Sequence, residues 1–451
     1  MSDAARWLLP SVLDHKAITD AIAGPLVEGR AGKRWWIAML VSLLVTGVGA
    51  VATGISFEYG PGLWGNNSAV VWGFPIANYV WWIGIGNAGT LISALLLLTR
   101  QKWRNAINRF AEAMTILAVT IAGLFPIIHL GRPMYFYWMA PYSNTMNLWP
   151  QWRSALVWDF WAILSYLLFS LLFFYLGLIP DLATLRDREG PRSWRRIWGA
   201  CALGWQGTPA QWRTHQRLQR TMAVIATPLV CSVHSIVGLD FAASLMPGWT
   251  ESVFPPYFVV GAYFSGFAMV VLLALVIRSA LGLEAMIRPA HLDACARMLL
   301  AAGSVMLLSY GSEWLSALWT GEAADLRFLR FSFTGPYSGL TYGMILGNCL
   351  LPQLFWSPTL RRSVPVLAIV SAGVLVGMYF ERILIICNTL SIGYVPAAWT
   401  LYVPTLIDAL ILLGTGGLFV FAFLLLARII PLVPMYEIRE LAEEAQMRAA
   451  A

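Results

Sequence analysis

Apolar residues in this chain gather into runs of about 20, the length needed to cross the hydrocarbon core of a bilayer as a helix. Such runs begin near Ile37, Ile76, Ala111, Ala155, Thr221, Tyr257, Cys295, Ser338, Val364 and Thr405. They predict an all-α polytopic membrane protein of about ten transmembrane helices. Composition agrees: 59% of the 451 residues are hydrophobic and 12% charged, a balance no soluble domain of this size tolerates. The first 36 residues carry charges and two prolines but no apolar stretch ending in a small-residue cleavage site. The first span is therefore expected to act as an uncleaved anchor.

Charge then orients the spans. The net charge is +7, but the basic residues lie mostly in alternate connections, so they record topology and not nucleic-acid binding. Lys33 and Arg34, then Arg100, Lys102, Arg104 and Arg109, then a dense set from Arg186 to Arg220, fall on one side; Arg278, Arg288, Arg361, Arg362 and Arg428 continue it. By the positive-inside rule both termini are cytoplasmic. The expected organisation is a cytoplasmic segment over residues 1–36, a membrane domain over 37–428 and a cytoplasmic tail over 429–451. Within the membrane domain, residues 180–220 form an Arg-rich cytoplasmic connection lying on anionic headgroups. The five cysteines show no metal-ligand spacing and no disulfide framework, so no iron–sulfur cluster or structural zinc is expected on this chain.

On this topology the ionisable groups within the spans are one-sided. His129, Asp159, His234, Asp240, Glu313, Glu381, Arg382 and Asp408 all fall in the outer halves of their segments, and the inner halves hold little beyond Glu112. Groups that hydrocarbon penalises by several kcal/mol mark functional cavities or pair with one another. One polar cavity near the periplasmic surface is the expectation. His129, near the end of the third segment, and Asp159, near the start of the fourth, come to one depth if those helices are antiparallel, and are the leading proton-sharing pair. His234 and Asp240 are six residues apart and point from different faces. Glu381 and Arg382 are equally accounted for as a neutralising pair, Asp408 as a residue reached by interfacial water, and Arg132 and Arg153 as snorkelling anchors. The small-residue stretch GIGNAGT at 84–90 predicts close helix packing, with Asn87 able to hydrogen-bond a ligand.

Three functional classes fit these residues. A b-type haem needs two facing histidines, and only His129 and His234 lie inside the predicted spans, so one haem is possible and two are excluded. An ion transporter would use the outer acids to bind a cation, but the inner halves lack matching groups and no paired broken helices are evident. A proton-accepting redox site uses a histidine with carboxylates beside it.

The segments WGFPIANYVWWIGIGNAGTLISA (72–94), NRFAEAMTILAV (108–119), GLFPIIHLGRP (123–133), LWPQWRSALVWDFWA (148–162), YLGLIPDLATLRDR (175–188) and SVHSIVGLDFAASLMPGW (232–249) resemble the NrfD/PsrC-type quinone-interacting membrane subunits, and more narrowly the ActC subunit of bacterial alternative complex III. The resemblance implies two four-helix bundles with two additional helices, without haem or metal on this chain. It also implies a quinol pocket (menaquinone or ubiquinone) facing a periplasmic iron–sulfur or molybdopterin-like subunit, with multihaem cytochrome c subunits and a paralogous NrfD-like subunit as further partners in the inner membrane. Menaquinol oxidation coupled to proton translocation belongs to the same picture. By motif, His129 and Asp159 become the catalytic candidates. Asp240, His234, Arg132, Glu381, Arg382, Asp408, Glu313 and Asn87 become quinol-binding or proton-transfer candidates. The family often carries histidine where this chain has Asn87, which cannot accept a proton as histidine does. The aromatic stretch Met134 to Trp152 is the expected docking floor for the electron-accepting partner. A molybdopterin/iron–sulfur reductase anchored by the same kind of subunit is the nearest alternative.

Overall fold

The computed structural model describes residues 14–27, 31–139, 151–188 and 192–450. Among them there are no strands, and nine helices are long and apolar enough to span a bilayer. A short helix α1 (His15–Val27) precedes the spans α2 (Lys33–Tyr59), α3 (Phe74–Leu98), α4 (Asn108–Ile128) and α5 (Ala155–Asp187). The short α6 (Arg192–Cys201) leads to α7 (Pro209–Ala242), followed by α8 (Phe254–Ala280) and α9 (Pro289–Thr320). A helix α10 (Ala323–Thr334) precedes α11 (Ser338–Met344). The spans α12 (Val364–Ser391) and α13 (Leu406–Leu426) and a terminal α14 (Met435–Ala450) complete the chain. Helices satisfy every backbone group internally, which is what hydrocarbon demands.

The segment expected from Ser338 departs from a regular helix. After α11 it continues as a π-helical turn, Ile345–Leu350, and a 3-10 stretch, Leu351–Trp356. Pro352 supplies a reason, since it has no N–H for the turn before it and its ring crowds the carbonyl four residues back. The segment still traverses the molecule. At one end Thr341 Oγ1 donates to Ser332 O at 2.7 Å, and just past the other end Arg361 meets Asp293, in the second turn of α9, at 2.9 Å. A second π turn, Leu384–Asn388, interrupts α12.

Spans α3, α4, α5 and α7 pack into one four-helix bundle, and α8, α9, the 338–356 segment and α12 into a second, joined along α3 and α8. The remaining spans, α2 and α13, pack on each other beside the bundles. Small residues set the close approaches. A Cβ added at Gly89 would lie 2.0 Å from the carbonyl oxygen of Ala111, so α3 and α4 touch through backbone there, as the GIGNAGT stretch predicts. Gly89→Ala is expected to force these helices apart at a cost of about 1–3 kcal/mol. A lower thermal unfolding midpoint of the detergent-purified protein would register it, and an unchanged midpoint would contradict the contact.

Helices α1 and α14 share one end of the molecule with the Arg-rich connection. His15 Nε2 lies 3.2 Å from Glu443 Oε1, the Arg439 guanidinium donates to Thr19 Oγ1, and Arg188 pairs with Asp20. The connection itself is shorter than the expected 180–220, because α5 runs through Pro180 to Asp187 and α7 already begins at Pro209. The proline is accommodated chemically. Its missing N–H leaves the Leu176 carbonyl without an intrahelical donor, and His215 Nε2 meets that carbonyl at 3.0 Å. The neighbouring Gly177 carbonyl accepts from Arg109 Nη2 at 2.7 Å. The next turn carries Asp181, which is fully buried.

Candidate functional site

At the end of the first bundle opposite α1 and α14, three helices aim polar side chains at one place. The Asp159 carboxyl, in the second turn of α5, faces Asp240 near the end of α7 and the Tyr79 hydroxyl from the second turn of α3. Tyr79 and Asp159 are buried. Among the described residues Tyr79 Oη, Asp159 Oδ1 and Asp240 Oδ1 are buried with nothing but one another to face, and at the cap of α4 His129 Nε2 is buried with no hydrogen-bond partner. His129 Nδ1 is engaged by the Phe125 carbonyl of its own helix. Each unmatched buried polar atom costs about 1–3 kcal/mol. Several of them at one end of one bundle describe a place shaped for a ligand with its own donors and acceptors.

This cluster differs from the expected pair. No hydrogen bond or ion pair joins His129 to Asp159 among the described residues; the partners that face Asp159 are Asp240 and Tyr79. Matching depth is readable from the segment ends, but the direction in which each side chain points around its helix is not. Tyr79 gives no signal in the sequence because a tyrosine near a span end ordinarily belongs to the interfacial belt; its burial sets it apart.

Below the cluster the bundle is polar along its length. His234 lies in the next level, hydrogen-bonded through Nδ1 to the Asn87 amide, and Tyr166 Oη donates to the carbonyls of Gly86 and Asn87 at 3.1 and 3.2 Å. Then come Thr90 Oγ1 to Ser170 Oγ at 3.1 Å and Thr115 Oγ1 accepting from Thr90 N at 3.2 Å. Ser93 Oγ donates to Glu112 Oε1 at 2.5 Å. At the Arg-rich end, Glu437 accepts from Arg104 and Asn108, each at 3.1 Å. Arg109 pairs with Asp181 at 3.1 Å with both side chains essentially inaccessible. The expectation that the inner halves hold little beyond Glu112 is thus corrected: Arg109, Asp181 and His215 are buried there, and Glu437 of α14 is buried against Arg104 and Asn108. Their charges read as loop residues in the sequence, because helices that project past the apolar runs carry polar composition.

The other candidates lie elsewhere. Glu381 and Arg382 sit on α12 in the second bundle, 3.4 Å apart, with the Arg382 guanidinium 4.3 Å above the Phe258 ring and within electrostatic reach of His234. Glu313 shares a cavity with Glu381 and has no place at Asp159. Asp408 is a helix cap. Its Oδ2 accepts from the backbone N–H of Thr405 at 2.9 Å and of Gly65 at 3.0 Å, tying the 60–67 turn to the start of α13. Arg132 is exposed just beyond α4. In the expected docking floor Met134, Phe136, Trp138 and Trp152 are exposed, whereas its residues 140–150 lie outside the described residues. No group of three or more His, Cys, Asp or Glu side chains placed to hold a metal ion occurs among the described residues.

Comparison with known sequences places these features. A membrane protein of Halobacterium salinarum (strain ATCC 700922 / JCM 11081 / NRC-1), named as a putative membrane subunit of dimethyl sulfoxide reductase, is 25% identical over 244 residues, which are 54% of this chain and 51% of that protein. The chain thus matches about half the length of that relative. The family described as polysulphide reductase, NrfD, matches residues 62–393, from the turn before α3 to the end of α12 and therefore both four-helix bundles. This chain belongs to the NrfD family.

Proposed function

We propose that this chain is the quinol-oxidising membrane subunit of a respiratory complex of the alternative complex III type, working at the cluster of Tyr79, Asp159, Asp240 and His129. The observation that carries the reading is the convergence of Tyr79, Asp159 and Asp240, buried and faced only by one another among the described residues, with the unpartnered His129 Nε2 at the same end of the first bundle. A quinol fits it chemically: its hydroxyls need acceptors for two protons, and its ring needs the apolar walls that the bundle supplies. Two carboxyls facing each other in hydrocarbon repel when both are ionised, so Asp159 and Asp240 hold one proton between them and leave one basic site. That site takes one hydroxyl proton and His129 Nε2 takes the other. Tyr79 donates a hydrogen bond that orients the substrate. The two electrons leave to an iron–sulfur cluster of a partner subunit docked over the exposed residues of 134–138 and Trp152. In this reading the cluster faces the periplasm and both termini the cytoplasm of a bacterial inner membrane.

The haem reading fares less well. His234 lies eight residues inside the end of α7 and His129 at the cap of α4, a difference in depth of roughly 12 Å at 1.5 Å per residue. Facing axial ligands would share one level. A transporter reading would gain from broken helices in both halves, but both π turns belong to the second bundle. The name of the halobacterial relative favours a second reading, in which the same cluster donates protons to quinone for a reductase. The copurifying partner decides between the two directions.

Illumination of the purified complex with an azido-quinone is expected to label peptides carrying His129, Asp159 or Asp240. Labelling confined to α9 and α12 would overturn the assignment.

A further inference from the structure

Three arginines gather around one carboxylate where the second bundle begins. Asp293, buried in the second turn of α9, meets Arg361 Nε through Oδ1 at 2.9 Å. Its Oδ2 meets Nη2 of Arg297, one turn further along α9, at 2.8 Å. Arg362 Nε lies 3.8 Å from Oδ1, inside ion-pair range and too far for a hydrogen bond. Helix α9 also contacts the 102–106 turn before α4, so the cluster shares the end of the molecule that carries the Arg-rich connection.

The charges there do not balance. Arg361 is committed: it holds Asp293, its Nη1 donates to the Phe355 carbonyl at 2.8 Å, and its side chain is 12% exposed. Arg297 and Arg362 are open, with side chains 59% and 66% exposed. Glu284, in the turn before α9, is exposed and forms no ion pair with them among the described residues. Three guanidiniums therefore face one carboxylate. Like charges held this close repel unless an anion joins them, and the boundary of the hydrocarbon screens them less than water does.

The surface leading away from the cluster is apolar. Arg297, Ala301 and Val305 follow one another at steps of four along one face of α9, and Ala301 and Val305 are exposed. On the 338–356 segment Leu350 and Leu354 are exposed as well. The two strips are neighbours, because a Cβ added at Gly303 would lie 2.9 Å from the Pro352 Cβ, and each strip lies two residues to either side of that contact. Trp356, exposed and next in the chain to the carbonyl that Arg361 holds, marks the level of the headgroups.

We propose that this cluster binds an anionic phospholipid, its phosphate held by Arg297 and Arg362 and its acyl chains laid along the two apolar strips. Guanidinium groups recognise phosphate through paired N–H donors, and basic pockets between spans hold anionic headgroups in just this way. Asp293 is the template that fixes Arg297 and Arg361. A zwitterionic lipid brings its own cation and leaves the surplus charge in place. An acidic peptide would answer the charge and leave the apolar strips uncovered; an anionic lipid answers both. The site stands independently of where quinol binds.

Native mass spectrometry and thermal unfolding of the purified complex in detergent test this, with dioleoylphosphatidylglycerol, dioleoylphosphatidylcholine or inorganic phosphate added. Phosphatidylglycerol is expected to stay bound and to raise the unfolding midpoint; the other two should do neither. Arg362→Gln, which breaks no hydrogen bond, should weaken phosphatidylglycerol binding about five-fold, and the Arg297→Gln, Arg362→Gln double variant roughly 30-fold, at about five-fold for each cation near an anionic headgroup. Without lipid the double variant should unfold at no lower temperature than the unaltered protein, since it relieves repulsion. Binding unchanged in the double variant would overturn the proposal, as would an equal gain from phosphatidylcholine. A midpoint raised by inorganic phosphate alone would make this a free-phosphate site, and a lower lipid-free midpoint in the double variant would make the arginines structural; either result also overturns it.

Discussion

Asp159→Asn is expected to lower quinol-driven electron delivery by about 10²- to 10⁴-fold, the contribution of a positioned acid–base group, while the subunit still assembles with its partners. The substitution keeps the shape of the side chain and its ability to hydrogen-bond Tyr79, and it removes the capacity to take a proton. Asp240→Asn should behave alike, because the two carboxyls form one basic site. For the same reason the double variant should be no more than a few-fold worse than either single, since residues acting as a unit are non-additive. Turnover of the purified complex with a soluble quinol analogue measures all three. Undiminished turnover in either single variant would remove the cluster from the reaction. Multiplicative losses in the double variant would instead show two independent roles.

The second large effect is structural and lies at the other end of the same bundle. Arg109→Ala is expected to destabilise the subunit by about 3–5 kcal/mol, the penalty of leaving one member of a buried ion pair without its counter-charge. Here the stranded group is Asp181, fully buried and held otherwise by the Tyr436 N–H at 3.2 Å. The lost guanidinium also abandons the Gly177 carbonyl, which borders the Pro180 gap in α5. A loss of this size is a large part of a typical folding free energy. Little subunit should accumulate in membranes, and what does should unfold at a much lower temperature in detergent. Arg109→Ala combined with Asp181→Asn should recover part of the loss, because no buried charge is then unmatched. A double variant as poor as the single would mean that the carbonyl contact, and not the ion pair, is what matters.

The expected fold was legible where it depends on a quantity summed along the chain. Apolar length alone announces ten crossings, and small residues at 84–90 announce one tight helix contact. The interruption after Met344 was legible only in part: Pro352 marks a break, but the approach of Gly347 to Gly373 and Gly377 of α12 joins residues that the sequence does not juxtapose. The candidate site was legible in depth and illegible in azimuth. The expectation selected Asp159 and ranked Asp240 next, yet it could not tell that Asp240 and Tyr79, and not His129, face Asp159. Arg109 and Asp181 were hidden for another reason: helices that outrun the bilayer wear loop-like composition, so charge density pointed to a connection where a buried pair closes the bundle.

The pairing of the first and last spans has a consequence for biogenesis. Gly49 and Gly414 meet so closely that a Cβ on Gly49 would lie 2.4 Å from the Gly414 Cα, and both spans fall outside the residues matched to the NrfD family. During synthesis α2 leaves the ribosome before its principal partner α13, which emerges more than 300 residues later. Until then α2, whose surface is largely exposed apolar side chains, has only lipid to lie against. Assembly of the described spans therefore closes by a clasp between α2 and α13. A nascent chain that stalls before α13 carries an unclasped helix, a feature that membrane quality-control proteases can detect.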